Sequence, residues 1–232
     1  CTMLNAFGLD LKVVEEKFSA LKNDVKLIYF TRESHCPHCH ITGTLLERIS
    51  SVTHKLSFES YNFAINQQKD EEYHIFTVPA LAIIGKQDYG IRYYGYPKGT
   101  ELNDFLDDII YVSRGENTLK TDAAKKLSWI IKPTHLKIFI SPNCPYSLPV
   151  AKLALKLAIA NKVISVDIIH ADEFLHVAEQ YNVRGIPMTV VNEQECFYGA
   201  LDEADYVNHL LECVVIPSRN YEKNEILNIS GK

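Results

Sequence analysis

Val25-Lys-Leu-Ile-Tyr-Phe30 followed by Cys36-Pro37-His38-Cys39, and Leu136-Lys-Ile-Phe-Ile140 followed by Cys144-Pro145-Tyr146-Ser147, are one pattern written twice. In each copy a short run of β-branched, aromatic and aliphatic residues reads as a buried strand and stops a few residues before a Cys-Pro pair. The leading cysteines stand 108 positions apart. Val78-Pro79 and Ile186-Pro187 repeat at the same offset of 108, and Tyr94-Gly95 recurs as Tyr198-Gly199 at 104. Three features in one order at nearly one offset mark an internal repeat. Each copy, at about 110 residues, has the size of a domain. The polar, glycine-containing stretch Arg114-Gly-Glu-Asn-Thr118 suits a boundary, giving units 1–117 and 118–232.

Hydrophobic periods give each unit the same element order. In the first they predict a helix over 10–22, a strand over 25–31 and a helix from the cysteine motif to about 50. A strand over 56–63, a helix over 66–73, a hairpin of 80–84 and 91–94 and a helix over 100–112 follow. In the second they predict a helix over 121–131 that stops before Pro133, a strand over 136–140 and a helix over 144–160. A strand over 163–170, a helix over 171–181, strands over 188–191 and 195–198 and a helix over 201–214 complete it, with 215–232 as a loose tail. A β-α-β step makes parallel strands and a tight hairpin antiparallel ones. The expected class is therefore α/β, each unit a mixed sheet flanked by helices. Each cysteine motif then falls at a helix N-terminus on the carboxyl edge of the sheet, where open α/β sheets carry their sites.

Composition narrows the function. Of 232 residues 47 % are hydrophobic and 23 % charged, as in an ordinary globular protein, and the net charge of −5 argues against nucleic acid as a partner. No apolar run approaches the ~18 residues of a membrane span, and no secretory leader is visible, so no membrane partner is expected. The six cysteines are too few for a disulfide-stapled miniprotein. A lipoprotein also begins with cysteine after processing, but Cys1 is followed by no tether-like linker, since Leu11 to Leu21 already reads as an amphipathic helix.

A strand-to-helix turn bearing Cys-Pro-x-Cys, with an x-Pro 43 residues later ahead of a hairpin, resembles the thioredoxin/glutaredoxin superfamily. Two such units in one chain resemble the protein disulfide oxidoreductases of thermophilic archaea and bacteria, a glutaredoxin-like family related to protein disulfide isomerase. The stretch from Tyr89 to Ile109, leading into Val112-Ser-Arg114, is its most family-like part. The resemblance implies two tandem thioredoxin folds, a cytoplasmic enzyme and no cofactor beyond a redox-active Cys36–Cys39 disulfide. It also implies protein substrates with thiols or disulfides, and as partners a thioredoxin reductase and a peroxiredoxin. Pro79 is by resemblance a cis-proline beside Cys36, and Val78 and Ile186 are the matching substrate-binding positions. Thioredoxins carry a buried acid six residues before the first cysteine; Phe30 and Ile138 stand there in this chain.

The thiolate is the nucleophile in disulfide exchange, and a free thiol near pKa 8.5 is only about 3 % thiolate at pH 7. Helix-end N–H groups and dipole are worth up to ~2 kcal/mol, about 1.5 pKa units. His38, between the cysteines, can add charge and a hydrogen bond. Cys36, ahead of the first turn, is expected to attack substrate, and Cys39, one turn deeper, to resolve the mixed disulfide. Alternatives are a carrier of electrons from a flavin-dependent reductase to a peroxiredoxin, or a metal-, cluster-binding or chaperone-like module. No metal site is expected, since His35, His38 and His40 diverge around a helical turn.

In the second unit Ser147 replaces the resolving cysteine, leaving Cys144, Pro145, Tyr146 and Pro187 as a secondary thiol site. Cys144 reads as a monothiol site, a cluster ligand or part of a redox-silent docking unit, and a Cys144–Cys196 pairing stays open. Cys196 and Cys213 are expected to be buried small apolar residues. His170 and the other scattered histidines are expected at the surface or at caps, Trp129 between the units, and Asp104–Asp108 on a solvated helix face.

Overall fold

The computed structural model describes residues 9–215. Cys1 and, apart from Val215, the expected tail lie outside them. The first half contains α1 (Leu11–Phe18), β1 (Val25–Thr31), α2 (Cys39–Ser50), β2 (Leu56–Asn62), α3 (Gln67–Glu72), β3 (Ala80–Ile84), β4 (Ile91–Tyr94) and α4 (Glu101–Arg114). The second contains α5 (Thr121–Leu127), β5 (Thr134–Ile140), α6 (Ser147–Ala160), β6 (Ile164–His170), α7 (Leu175–Gln180), β7 (Met188–Val191), β8 (Gln194–Tyr198) and α8 (Glu203–Val215). The two orders match element for element, as the repeat predicts.

The halves do not keep separate sheets. The strand order is β2-β1-β3-β4-β6-β5-β7-β8, one sheet of eight. Its seam is a parallel pairing of β4 with β6, from Ile91↔Val166 to Tyr94↔Ile169. Each of these strands would otherwise be an edge with unpaired N–H and C=O groups, a state that favours pairing with any neighbouring strand. All of β4 is buried, so the seam is covered on both faces. Because β1 and β4 are both antiparallel to β3, and β4, β6 and β5 are mutually parallel, β1 and β5 run the same way. Both cysteine motifs therefore leave the sheet at one edge.

Alternation along the strands fills two cores. Leu27, Tyr29, Leu81, Ile83, Leu136 and Ile138 face one layer, into which α1, α2, α4, α5, α6 and α8 pack. Ile28, Phe30, Ala80, Ala82, Phe139 and Val190 face the other, which meets residues of the short helix α7 and the segments flanking α3 and α7. α4 stops at Gly115, whose left-handed φ of 61° lets its N–H reach the Tyr111 carbonyl. This falls within the stretch expected to separate the units.

Several expectations need correction. α6 begins at Ser147 rather than at Cys144, so Cys144 stands a turn ahead of its helix, as Cys36 stands ahead of α2, which begins at Cys39. Trp129 is 58 % exposed rather than packed between the halves. Asp108 is buried, not solvated: its carboxylate meets Lys152 at 2.5 Å, joining α4 to α6. Burial pushes the Asp108 carboxyl up, against the Lys152 charge, to about 6. His170 is 0 % exposed. Cys144 is a free thiol, so it does not pair with Cys196. Cys213 is half-buried and disulfide-bonded rather than a free apolar side chain in the core.

The repeated Tyr-Gly pair offers a test of packing at the seam. At Gly95, with φ +125°, an added Cβ would meet His170 Cγ at 2.6 Å, whereas at Gly199, with φ +89°, nothing lies within 4 Å. Gly95→Ala is expected to lower unfolding free energy by about 2–4 kcal/mol, from backbone strain plus overpacking. Gly199→Ala should cost about 1–2 kcal/mol from strain alone. Urea titrations of both variants decide; equal losses would remove the His170 contact from the account.

Candidate active site

β1 ends at Thr31, and the loop that follows returns to the sheet edge at the start of α2. Within it the Cys39 N–H donates to the Cys36 carbonyl at 3.3 Å, closing a turn around Pro37 and His38. Cys36 and Cys39 form a disulfide with Cα atoms 5.4 Å apart. The pair is asymmetric: Cys36 is half-buried, while Cys39 is 2 % exposed. The Tyr29 hydroxyl donates to the Cys39 carbonyl at 2.7 Å, fixing the start of α2 against β1. The outer sulfur is thus the one a second protein can reach.

Cys36, Pro37 and His38 line a cleft of about 580 Å³ together with Val78 and Pro79, so these five predicted residues are brought together. The Val78–Pro79 bond is cis. Arg32, His35 and Lys98 from the first half, and Asp172, Glu173 and His176 from the second, complete the charged lining. The second half therefore walls the first half's disulfide.

Its main contact is Glu173. One carboxylate oxygen lies 2.9 Å from His38 Nδ1. The other accepts the Tyr96 N–H at 3.0 Å and stands 3.5 Å from His170 Nδ1. His170 Nε2 in turn lies 2.7 Å from Glu101 at the start of α4, and the Tyr93 hydroxyl donates to the same Glu101 oxygen. Tyr96 also packs on the His38 ring, with centroids 5.8 Å apart. The chain His38–Glu173–His170–Glu101 crosses the seam twice.

Burial by itself would strip the proton from His170, but the Glu101 and Glu173 carboxylates outweigh it and raise the imidazole to about 9. Burial would raise Glu173, but His170, the Tyr96 N–H and His38 hold it at about 2. Both groups are charged at neutral pH, as buried charges are when partners offset desolvation. None of this is legible in the sequence, where His170 reads as a surface residue and Glu173 as part of a helix start. The available signal is weak: a histidine closing a strand and an acid three residues on.

The second thiol site is built differently. Cys144 is half-buried, and its thiol lies 3.6 Å from the carbonyl of Ile186, ahead of the cis bond to Pro187. Pro145 and Tyr146 are exposed, and Ser147 is fully buried, its hydroxyl accepting the Ser141 N–H at 3.2 Å. Ser147 is thus a helix-start hydrogen-bond acceptor, and Cys144 does not line the cleft that holds Cys36. Among the described residues no three His, Cys, Asp or Glu side chains converge to hold a metal ion. No helix of the described residues is long and apolar enough to cross a membrane.

The buried pair predicts a pH profile. The His170 proton stabilises the fold fully below its unfolded pKa of about 6.5, and this is lost as pH rises through about 9. Glu173 stabilises above its unfolded value of about 4.5, and this is lost as pH falls toward about 2. The stability deficit of His170→Gln should thus be largest between about pH 4.5 and 6.5, on the order of 2 kcal/mol, and shrink by pH 10. Chemical unfolding across pH tests this; a deficit that grows toward pH 10 contradicts it.

Known proteins agree with this layout. The family described as Thioredoxin domain matches residues 134–212, in the half that carries Cys144 and Ser147. In fold the chain is similar to a protein disulfide oxidoreductase of Aeropyrum pernix, with TM-score 0.79 and 23 % identity over 90 % of this chain and 96 % of that one. It is likewise similar to an alkylhydroperoxide reductase component of Enterococcus faecalis, with TM-score 0.76 and 17 % identity over 86 % of this chain and 96 % of that one. Both structures support tandem thioredoxin folds. A probable thioredoxin of Archaeoglobus fulgidus is 32 % identical over 71 residues, 30 % of this chain and 78 % of the relative. A match of that depth over most of a thioredoxin, on a chain that builds the fold twice, makes this protein a member of the thioredoxin superfamily.

Proposed function

We propose that the protein is a thiol–disulfide oxidoreductase that forms, reduces or isomerises protein disulfides through Cys36 and Cys39. The observation that carries this is the asymmetric disulfide in the cleft: an accessible sulfur at position 36, a covered one at 39, and a cis-proline loop beside them. In the reducing direction the Cys36 thiolate attacks one sulfur of a substrate disulfide. A Cys36–substrate bond forms, and the other substrate sulfur leaves as a thiolate. Cys39 then attacks Cys36, restores the disulfide and releases the second substrate thiolate. Oxidation runs the same steps in reverse. Val78, buried next to Pro79, presents backbone for an extended substrate segment, a strand-addition contact that needs no particular side chains.

A carrier role uses the same two sulfurs. Its support is the fold likeness to a component of alkylhydroperoxide reductase, and it would pair the protein with a flavin-dependent reductase and a peroxiredoxin. Cytoplasmic placement and the absence of a cofactor beyond the disulfide belong to this proposal as well.

Insulin reduction by dithiothreitol tests it. Cys36→Ser should abolish turnover, and Cys39→Ser should accumulate a mixed disulfide that survives gel electrophoresis without reductant. Cys144→Ser should keep more than half the activity, since that thiol is outside the cleft. Turnover that survives Cys36→Ser contradicts the reading.

A further inference from the structure

We propose that Glu173, supplied by the second half of the chain, is a positioning residue for the first half's Cys-Pro-His-Cys, orienting His38 to take up the Cys36 proton during exchange. The proposal rests on the function proposed above and names what the second half contributes to it. The carboxylate occupies His38 Nδ1 at 2.9 Å, which fixes the ring and leaves Nε2 as its remaining proton acceptor. A carboxylate on one nitrogen of an imidazole holds the tautomer and stabilises the imidazolium that forms when the other nitrogen takes a proton.

The step balances. The Cys36 S–H breaks, its electron pair stays on sulfur and its proton goes to His38 Nε2. The thiolate then attacks the substrate disulfide, and the leaving substrate sulfur can take the proton back. The Glu173 carboxylate contacts the His38 ring itself. The carboxylate stabilises the ion pair, hence the reduced form of the site.

Glu173 is held for this role. Its second oxygen is anchored by the Tyr96 N–H and faces His170, which is itself clamped by Glu101. The exposed part of His38 and the half-buried Cys36 both face the cleft. Arg32, His35, Lys98, Asp172 and His176 also face it, and their fields act on the same sulfur. The carboxylate in contact with the motif comes from across the seam.

The experiment is a double-mutant cycle on the full chain in a Cys144→Ser background. The disulfide of the peptide carrying Cys36 and Cys39 is quantified by mass spectrometry in glutathione buffers. Glu173→Gln should shift the equilibrium constant about three- to tenfold toward the disulfide, where tenfold corresponds to ~30 mV. Glu173→Asp should recover part of the shift. In a His38→Gln background Glu173→Gln should change the constant by less than about twofold, while the fields of the other cleft charges cancel in the cycle. A shift of equal size with and without His38, as a purely structural role would give, overturns the proposal, as does no shift. If insulin turnover persists in Cys36→Ser, the underlying oxidoreductase reading fails; if Cys36→Ser is inactive and the cycle is additive, only the role of Glu173 fails.

Discussion

The parallel pairing of β4 with β6 is the constraint on which the molecule depends. It turns two four-stranded sheets into one and sets the end of β6 against the end of β4. His170 closes β6, and Tyr94-Gly95-Tyr96 leaves β4, so the seam delivers His170 and Glu173 to the backbone of the first half. Gly95 sits where an added Cβ would run into the His170 ring. Without this pairing the disulfide would face open solvent on that side, and His38 would lose its carboxylate.

Burial of charged groups at such a seam is costly unless each is paired. Here His170 lies between Glu101 and Glu173, and the Tyr93 hydroxyl and the Tyr96 N–H donate to the same two carboxylate oxygens that face it. Two buried atoms of the network, Glu101 Oε2 and His170 Nδ1, still have no hydrogen-bond partner, the Nδ1 meeting Glu173 only as a 3.5 Å ion pair. Removing one member while leaving the rest buried therefore costs more than a surface ion pair would. The halves are locked by charge at the cleft, by Asp108–Lys152 between α4 and α6, and by the strand pairing itself. The second half, with Ser147 where the first has Cys39, thus walls the first half's cleft and sets Glu173 against His38.

Much of the fold is readable because its determinants are local. The alternation in Val25–Phe30 and Leu136–Ile140, the turn around 85–90 and the 108-residue repeat yield the elements in the right order, with most ends within a few residues. Cys36 and Cys39 are readable because the strand-to-helix turn sets them at a sheet edge, whereas Pro79 is placed beside them only by the family resemblance. What escapes is non-local. Glu173 meets His38 across the whole sheet seam, and no period or motif records that distance. His170 and Asp108 look like surface residues by type, and only the partner across the junction permits their burial. Trp129 is the opposite case, an aromatic residue whose type suggests packing but which faces solvent.

Disulfide exchange at Cys36 needs a reactive thiolate, which we propose the turn and the His38 imidazole favour once the Cys36–Cys39 bond is reduced. The most direct measurement is the rate of iodoacetamide capture of Cys36 in the reduced full chain from pH 4 to 9, read by mass spectrometry of its peptide. A half-maximal rate at least about one pH unit below the ~8.5 of a free thiol is expected. A profile that rises only at pH 8.5 or above would contradict it.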